Sequence, residues 1–402
     1  MKPLCGGAWR RAVALINARV ATEGGIGSSI RFSTRVLGID SPPERGDVVV
    51  DVEGGFVLPG LVNAHDHLEL NHFGRVKFRD SYENASSWID DMRPKLREDP
   101  VIREGQKHRC RDRLLVGALK NLLSGVTTVS HHNPLYRELG RGFPVRVVRR
   151  YGWAHSLFLE SGPDVAKAYR KTPPDAPFLI HLAEGYDANA RGELSRLREL
   201  GCLRENTVLV HGVGLSPEEW TSVRRAGAGL VWCPSSNRFL LGRSAPIDDF
   251  LNREPASRSS IALGTDSRLS GSRDLLEELR DARAAASVEP GDLLRMVTAN
   301  AASLLRVPEA GRIAPGLPAD LVVIPPLAED PAHSLLALDR SRIRLVTVGG
   351  RPLVGAPELS SVFAARQGAT ARAKLDGQAR ILDGTLARRI RVSSLAEPGL
   401  EL

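Results

Sequence analysis

His65 and His67 stand two positions apart at the end of an apolar run, Phe56–Leu58 and Leu61–Val62, punctuated by Pro59-Gly60. Alternate strand residues point to the same side. Two imidazoles so placed would project together, as two ligands of one metal do. The pattern recurs along the chain. The run Phe178–Ile180 ends in His181 with Glu184 three positions on, Val208–Val210 ends in His211, and Ile261–Thr265 ends in Asp266. A buried histidine satisfied by the backbone, or an aspartate capping a helix, would account for any one of these alone. Four strand ends finishing in His or Asp point instead to a divalent-metal centre with acid/base groups beside it.

Such ends meet only if the strands lie side by side in one direction. Strand-like runs (Leu61–Ala64, Val126–Ser130, Gly152–Phe158, Phe178–Leu182, Val208–His211, Gly229–Cys233, Ile261–Thr265) alternate with helical patterns near 102–124, 188–200, 216–227 and 272–287. Helix-start signals precede the last two, at Ser216-Pro217 and Ser272. Repeated βα units of this number predict an α/β fold, a (β/α)8 TIM-like barrel over residues 60–308. Seven strands are evident, and the stretch 159–177 hides or lacks the eighth. Residues 1–59, beginning with a strand from about Ala12 to Val20, read as short strands, and so do 309–356. The two segments together predict one small β domain. Residues 357–402, rich in Ala and Arg, read as a helix and a loose end.

Composition narrows the function. The chain of 402 residues has 42% hydrophobic and 25% charged residues and no apolar stretch approaching a membrane span. Arg10-Arg11 interrupts any signal-peptide core. The net charge of +8 is spread over helix-like faces, and eight of the 55 basic residues are lysines. Nucleic acid is therefore not an expected partner. Cys5, Cys110, Cys202 and Cys233 form no C-x-x-C pair, which excludes a thiolate zinc site and suits the cytoplasm. The expected partner is a small-molecule substrate; a homo-oligomer stays open.

The motifs, taken in order, resemble the amidohydrolase superfamily of metal-dependent hydrolases, and within it the cytosine-deaminase and chlorohydrolase-like branch. The similar segments are LPGLVNAHDHLE, HLAE, VHGVGLS, WCPSSN, LGTDS and AGRIAPGLPADLVVI, spanning about residues 10–355. Chemistry and resemblance imply the same roles. His65, His67, His181 and Asp266 would hold one divalent metal; three imidazoles and a carboxylate suit Zn²⁺, with Fe²⁺ and Mn²⁺ as alternatives. Asp266 would accept a proton from the activated water, Glu184 would shuttle it to the leaving nitrogen, and His211 would orient the nucleophile. Binuclear branches of the superfamily add a carboxylated lysine at a middle strand end, and none of the eight lysines sits there.

Glu69, Asn71, His132, Arg238 and Arg268 are candidate substrate contacts, whereas His72, His108, His155 and His333 read as structural. The expected activity is hydrolysis of a C–N bond, foremost deamination of an amino-heterocycle or related amidine. Hydrolysis of an amide or ring C–N bond, or loss of halide, is the alternative chemistry. A non-catalytic metal-binding barrel would need neither Glu184 nor Asp266 beside an open coordination position.

Overall fold

Eight short parallel strands follow residue 60: β1 (Leu61–Asp66), β2 (Val126–His131), β3 (Arg146–Val147), β4 (Gly152–Ser156), β5 (Phe178–Leu182), β6 (Thr207–His211), β7 (Gly229–Trp232) and β8 (Ile261–Leu263). They come from a computed structural model that describes residues 11–253 and 255–402; Cys5 lies outside the described residues. Hydrogen-bonded ladders join β1 to β3 in one sheet and β4 to β8 in another. The seam between β8 and β1 is crossed by Asp266 N–H donating to His65 O (3.1 Å) and Thr265 N–H donating to Asn63 Oδ1 (3.1 Å). Val62 and Ala64 of β1 share one apolar cluster with Leu179, Val208, Val210, Val231 and Ala262 of the second sheet. The ring of strands is thus a TIM-like barrel.

The eighth strand is β3, not a strand within 159–177. That stretch holds a helix, Gly162–Lys171, started by Ser161 accepting from Asp164 N. Two residues make too short a run to show a period, and only residues 148–151 separate β3 from β4, so no helix fits there. Elsewhere the expected helices form. Pro217–Arg225 begins with a reciprocal capping box between Ser216 and Glu219. The helix Leu275–Ala285 is capped by Asp274 rather than Ser272.

Strands from both ends of the chain do interleave. Phe56–Pro59 pairs antiparallel with Leu321–Ile324 and parallel with Arg19–Thr22 inside a nine-stranded sheet. The run from Ala12 to Val20 is two strands, Val13–Ile16 and Arg19–Thr22, because Asn17 (φ +49°) turns the chain from a four-stranded sheet into the nine-stranded one. Residues 357–402 also differ from expectation. Thr370–Leu375 and Gln378–Asp383 form an antiparallel hairpin in the nine-stranded sheet. Its two-residue turn, Asp376-Gly377, has φ of +46° and +82°, the left-handed pair that a tight hairpin needs. Among the described residues no helix is long and apolar enough to cross a membrane.

Gly264 lets the barrel close. A Cβ there would lie 2.6 Å from His65 Cβ and 2.9 Å from His65 N. Gly264→Ala is expected to cost about 1–3 kcal/mol, read as a lower urea midpoint. An unchanged midpoint would mean that the β8–β1 seam is loosely packed.

Candidate active site

The C-terminal ends of β1, β5, β6 and β8 bring together the side chains that the sequence singled out. His181 Nε2 lies 3.3 Å from His65 Nε2 and 3.4 Å from His67 Nε2. Asp266 Oδ1 lies 4.0 Å from His65 Nε2 and 3.8 Å from His67 Nε2. Donors of a tetrahedral zinc site, each 2.0–2.1 Å from the ion, stand about 3.3 Å apart. The observed spacings leave room for a cation, and His65, His67 and Asp266 lie close enough to share one.

Outward hydrogen bonds fix which nitrogen is bare. His181 Nδ1–H donates to His155 O (2.8 Å), so its Nε2 carries a lone pair. His132 Nε2–H donates to Ala154 O (3.0 Å), leaving His132 Nδ1 to accept from His65 Nδ1–H (3.3 Å) and His65 Nε2 bare. Burial, followed by the neighbouring rings, holds the pKa of His65 and of His181 well below the ordinary imidazole value, so both stay neutral. The amide of Asn133 bridges His67 Nδ1 (3.3 Å) and Glu69 Oε1 (2.5 Å).

Asp266 is held from three sides. Ser236 and Ser270 hydroxyls donate to Oδ2 (2.8 Å each), and Ser267 N–H donates to Oδ1 (2.6 Å). Burial alone would raise its pKa, but His67, His211 and these hydrogen bonds outweigh it and keep the carboxylate ionised. Glu184 is the opposite case. Burial, then the charges of Asp266 and Glu193, raises its proton affinity well above that of an ordinary carboxyl. Its Oε1 faces His211 Nε2 at 3.5 Å, and His211 Nδ1–H donates to Asn237 Oδ1 (2.8 Å). Ala183, His211 and Asp266 all have positive φ (+53°, +77° and +51°), so three strand ends at the site adopt a backbone that side chains disfavour.

These groups open into a cavity of about 150 Å³ whose lining includes the apolar residues Leu70, Trp88, Ile89, Leu240 and Leu269. Asn133, His155, Glu184, His211 and Asp266 line it as well. His155 was expected to be structural, yet its ring lies against the cavity and 4.6 Å from the ring of His181. Nothing in its local sequence marks it beyond its place in β4.

None of the five expected substrate contacts lines the cavity. His132 stands behind His65, fully buried and stacked on His181 at 4.1 Å. His65, His132 and His181 lie close enough to share an ion, but the His132 ring is committed on both nitrogens. Asn71 is interior: its Nδ2 donates to Asp66 Oδ1 (2.8 Å) and its Oδ1 accepts from Lys120 Nζ (2.8 Å). Glu69 is buried beneath Asn133, and its Oε2 has no hydrogen-bond partner. Arg268 turns away from the cavity into a two-pronged pair with Glu397. Arg238 is exposed on the helix Pro234–Leu241. His72, His108 and His333 contact Gly105 O, Ser394 Oγ and Asp330 Oδ2, away from the site.

A second polar layer lies under the strand-end cluster. Lys120, wholly buried on the helix Cys110–Leu123, donates to Asp266 O (2.7 Å) and lies 3.3 Å from Asp66 Oδ2. Asn121 Nδ2 donates to the same Asp66 oxygen at 2.8 Å. The Lys120-Asn121 pair inside LLVGALKNLL, otherwise apolar, was the available signal for this layer.

The model of the Amidohydrolase family matches residues 177–353. A relative named 5-methylthioadenosine/S-adenosylhomocysteine deaminase, from Haloquadratum walsbyi, is 34% identical over 353 residues, 72% of this chain and 77% of its own. The fold is similar to that of a triazine hydrolase variant (TM-score 0.71, 19% identity, 89% of this chain and 99% of that one). It is also similar to an adenosine deaminase from Xanthomonas campestris with bound zinc (TM-score 0.68, 17% identity, 88% and 97%).

His132→Ala leaves His65 Nδ1–H without its acceptor. Zinc affinity is expected to fall about 10–100-fold, with KM little changed. Chelator competition reads the first quantity. A raised KM with unaltered zinc affinity would return His132 to the substrate side.

Proposed function

Because the chain belongs to the amidohydrolase family and is a hydrolase of non-peptide C–N bonds, we propose that it is an aminohydrolase with one zinc per chain, replacing the exocyclic amine of a 6-aminopurine nucleoside with oxygen. The observation that carries the reading is Glu184: a largely buried carboxyl of raised proton affinity, facing a histidine lone pair and beside the cluster of His65, His67, His181 and Asp266. The apolar lining residues Leu70, Trp88, Ile89, Leu240 and Leu269 suit a heterocyclic ring. The names of the curated relatives point to the same substrate class.

His65, His67, His181 and Asp266 would hold the metal. When bound, it supplies Lewis acidity that brings the pKa of water at the site towards neutrality. Asp266 Oδ1 faces the donor set and can take a proton from the attacking water. Glu184 carries a proton to the substrate nitrogen, and its high proton affinity keeps that proton available near neutral pH. His211, with Nδ1–H tied to Asn237, offers Nε2 as an acceptor that orients the nucleophile. Water adds across the ring C=N carbon, the C–N bond to the exocyclic amine breaks, and ammonia leaves with the delivered proton. The sum is amine plus water giving the oxo product plus ammonia.

Glu184→Gln keeps size and polarity but removes the proton carrier. Turnover is expected to fall by about 10²–10⁴, with zinc content and KM preserved. Steady-state kinetics on the zinc-loaded variant measures this, and wild-type turnover would remove Glu184 from the chemistry.

Incubation with 5′-methylthioadenosine is expected to release ammonia and give a product one mass unit heavier, NH₂ replaced by OH. Mass spectrometry distinguishes this from the gain of a whole water. That second result, with ring opening or chain cleavage, would refute deamination and leave the wider C–N hydrolase assignment in place.

A further inference from the structure

We propose that Glu397 is a positioning residue for the reaction, holding the Asp266 loop in place through Arg268. The proposal rests on the reading of Asp266 as a metal ligand. Residues 266–271 turn Asp266, Ser267, Leu269 and Ser270 towards the cavity. Arg268 points the other way. Its Nη1 and Nη2 donate to Glu397 Oε2 (2.8 Å) and Oε1 (2.7 Å), and its Nε donates to Arg273 O (2.8 Å). The Glu397 side chain has no solvent exposure (0%), and Arg268 has 9%. Arg340 Nη1 donates to the same Oε1 at 2.6 Å, so one buried carboxylate serves two guanidinium groups.

Arg268 is also held from the metal side. Its backbone N–H donates to Asn71 Oδ1 (3.0 Å), the oxygen that accepts from Lys120 Nζ. Asn71 Nδ2 in turn donates to His67 O (3.2 Å). Arg268 therefore links the strand carrying two donor histidines to a segment, 393–401, that touches no donor. Within the loop Ser270 N–H and Gly271 N–H return to Ser267 O, while Ser267 N–H and the Ser270 hydroxyl donate to the Asp266 carboxylate. Asp266 stands at the head of that loop with φ +51°. Strained backbone persists where its surroundings over-determine it, and a bidentate guanidinium–carboxylate pair fixes direction as well as distance. Without the Glu397 charge, Arg268 and Arg340 face each other with no shared anion, and the loop loses its outer anchor.

The test uses the full chain with Glu397→Gln, Arg268→Lys and Asp376→Asn. Asp376 pairs with Arg340 and Arg273 and does not touch Arg268, so its variant perturbs the same ion network without releasing the loop. Zinc affinity is read by chelator competition, and kcat and KM on 5′-methylthioadenosine. Glu397→Gln is expected to weaken zinc about tenfold or more and to lower kcat about tenfold, with KM moving less than about threefold. Arg268→Lys, which keeps the charge and loses the fork, is expected to show the same losses to a smaller degree, and it decides the matter if Glu397→Gln folds poorly. Asp376→Asn is expected to lower the unfolding midpoint while zinc affinity and kcat stay at wild-type values. Wild-type zinc affinity in folded Glu397→Gln or Arg268→Lys would overturn the proposal, and so would an equal loss in Asp376→Asn. A wild-type protein that binds zinc but deaminates no aminopurine would refute the proposed function, and the zinc measurements would still decide the role of Glu397.

Discussion

Lone pairs on His65 Nε2 and His181 Nε2 repel each other, yet here they stand 3.3 Å apart at the end of a cavity, with His67 Nε2 3.4 Å from the second and Asp266 Oδ1 4.0 Å from the first. The upper end of the barrel is organised around that repulsion. Carbonyl groups of β4, at Ala154 and His155, take the outward protons of His132 and His181, so the inward nitrogens have none to share. Burial keeps the His65 and His181 rings neutral. His65, His67 and Asp266 lie close enough to share a cation, which would relieve that repulsion.

Beneath the donors the chain accepts a second expense. Asp66 and Lys120 are both wholly buried, and removing one partner of such a pair typically costs about 3–5 kcal/mol. The pair is tolerated because nearly every remaining donor and acceptor is used: Asn63, Asn71, Asn121 and Thr265 all reach Asp66, while Lys120 closes on the Asp266 carbonyl. The helix Cys110–Leu123 thus supports the chemistry without lining the cavity. Fully satisfied polar networks of this kind specify one arrangement where an apolar layer would permit several.

The cluster of strand-end side chains was legible in the sequence because strand ends are local features. His65, His67, His181, His211 and Asp266 each follow a short apolar run, and parallel strands bring such ends together whatever the loops do. The side chains around them were not legible, since their direction depends on partners far away. Arg268 follows Asp266 by two and looked like an anion binder; a carboxylate 129 residues later claims it. His132 follows β2 and looked like a cavity residue; the open carbonyl of Ala154 draws it behind His65. Glu397 sits in no periodic pattern. β3 has two residues and no period to read. The hairpin at 370–383 was masked by an Ala/Arg composition that favours helix, although its Asp-Gly turn was present.

The pairing of Phe56–Pro59 with Leu321–Ile324 has a consequence for how the protein is made. The earlier strand leaves the ribosome roughly 260 residues ahead of its partner, which at about 5–20 residues per second is a wait of about 13–50 s. During that interval it presents an apolar edge, and the whole barrel is synthesised in between. Long-range pairings of this kind slow folding and prolong exposure to aggregation. Production of the protein is therefore sensitive to translation speed, temperature and chaperone supply in a way that the stability of the finished barrel would not reveal.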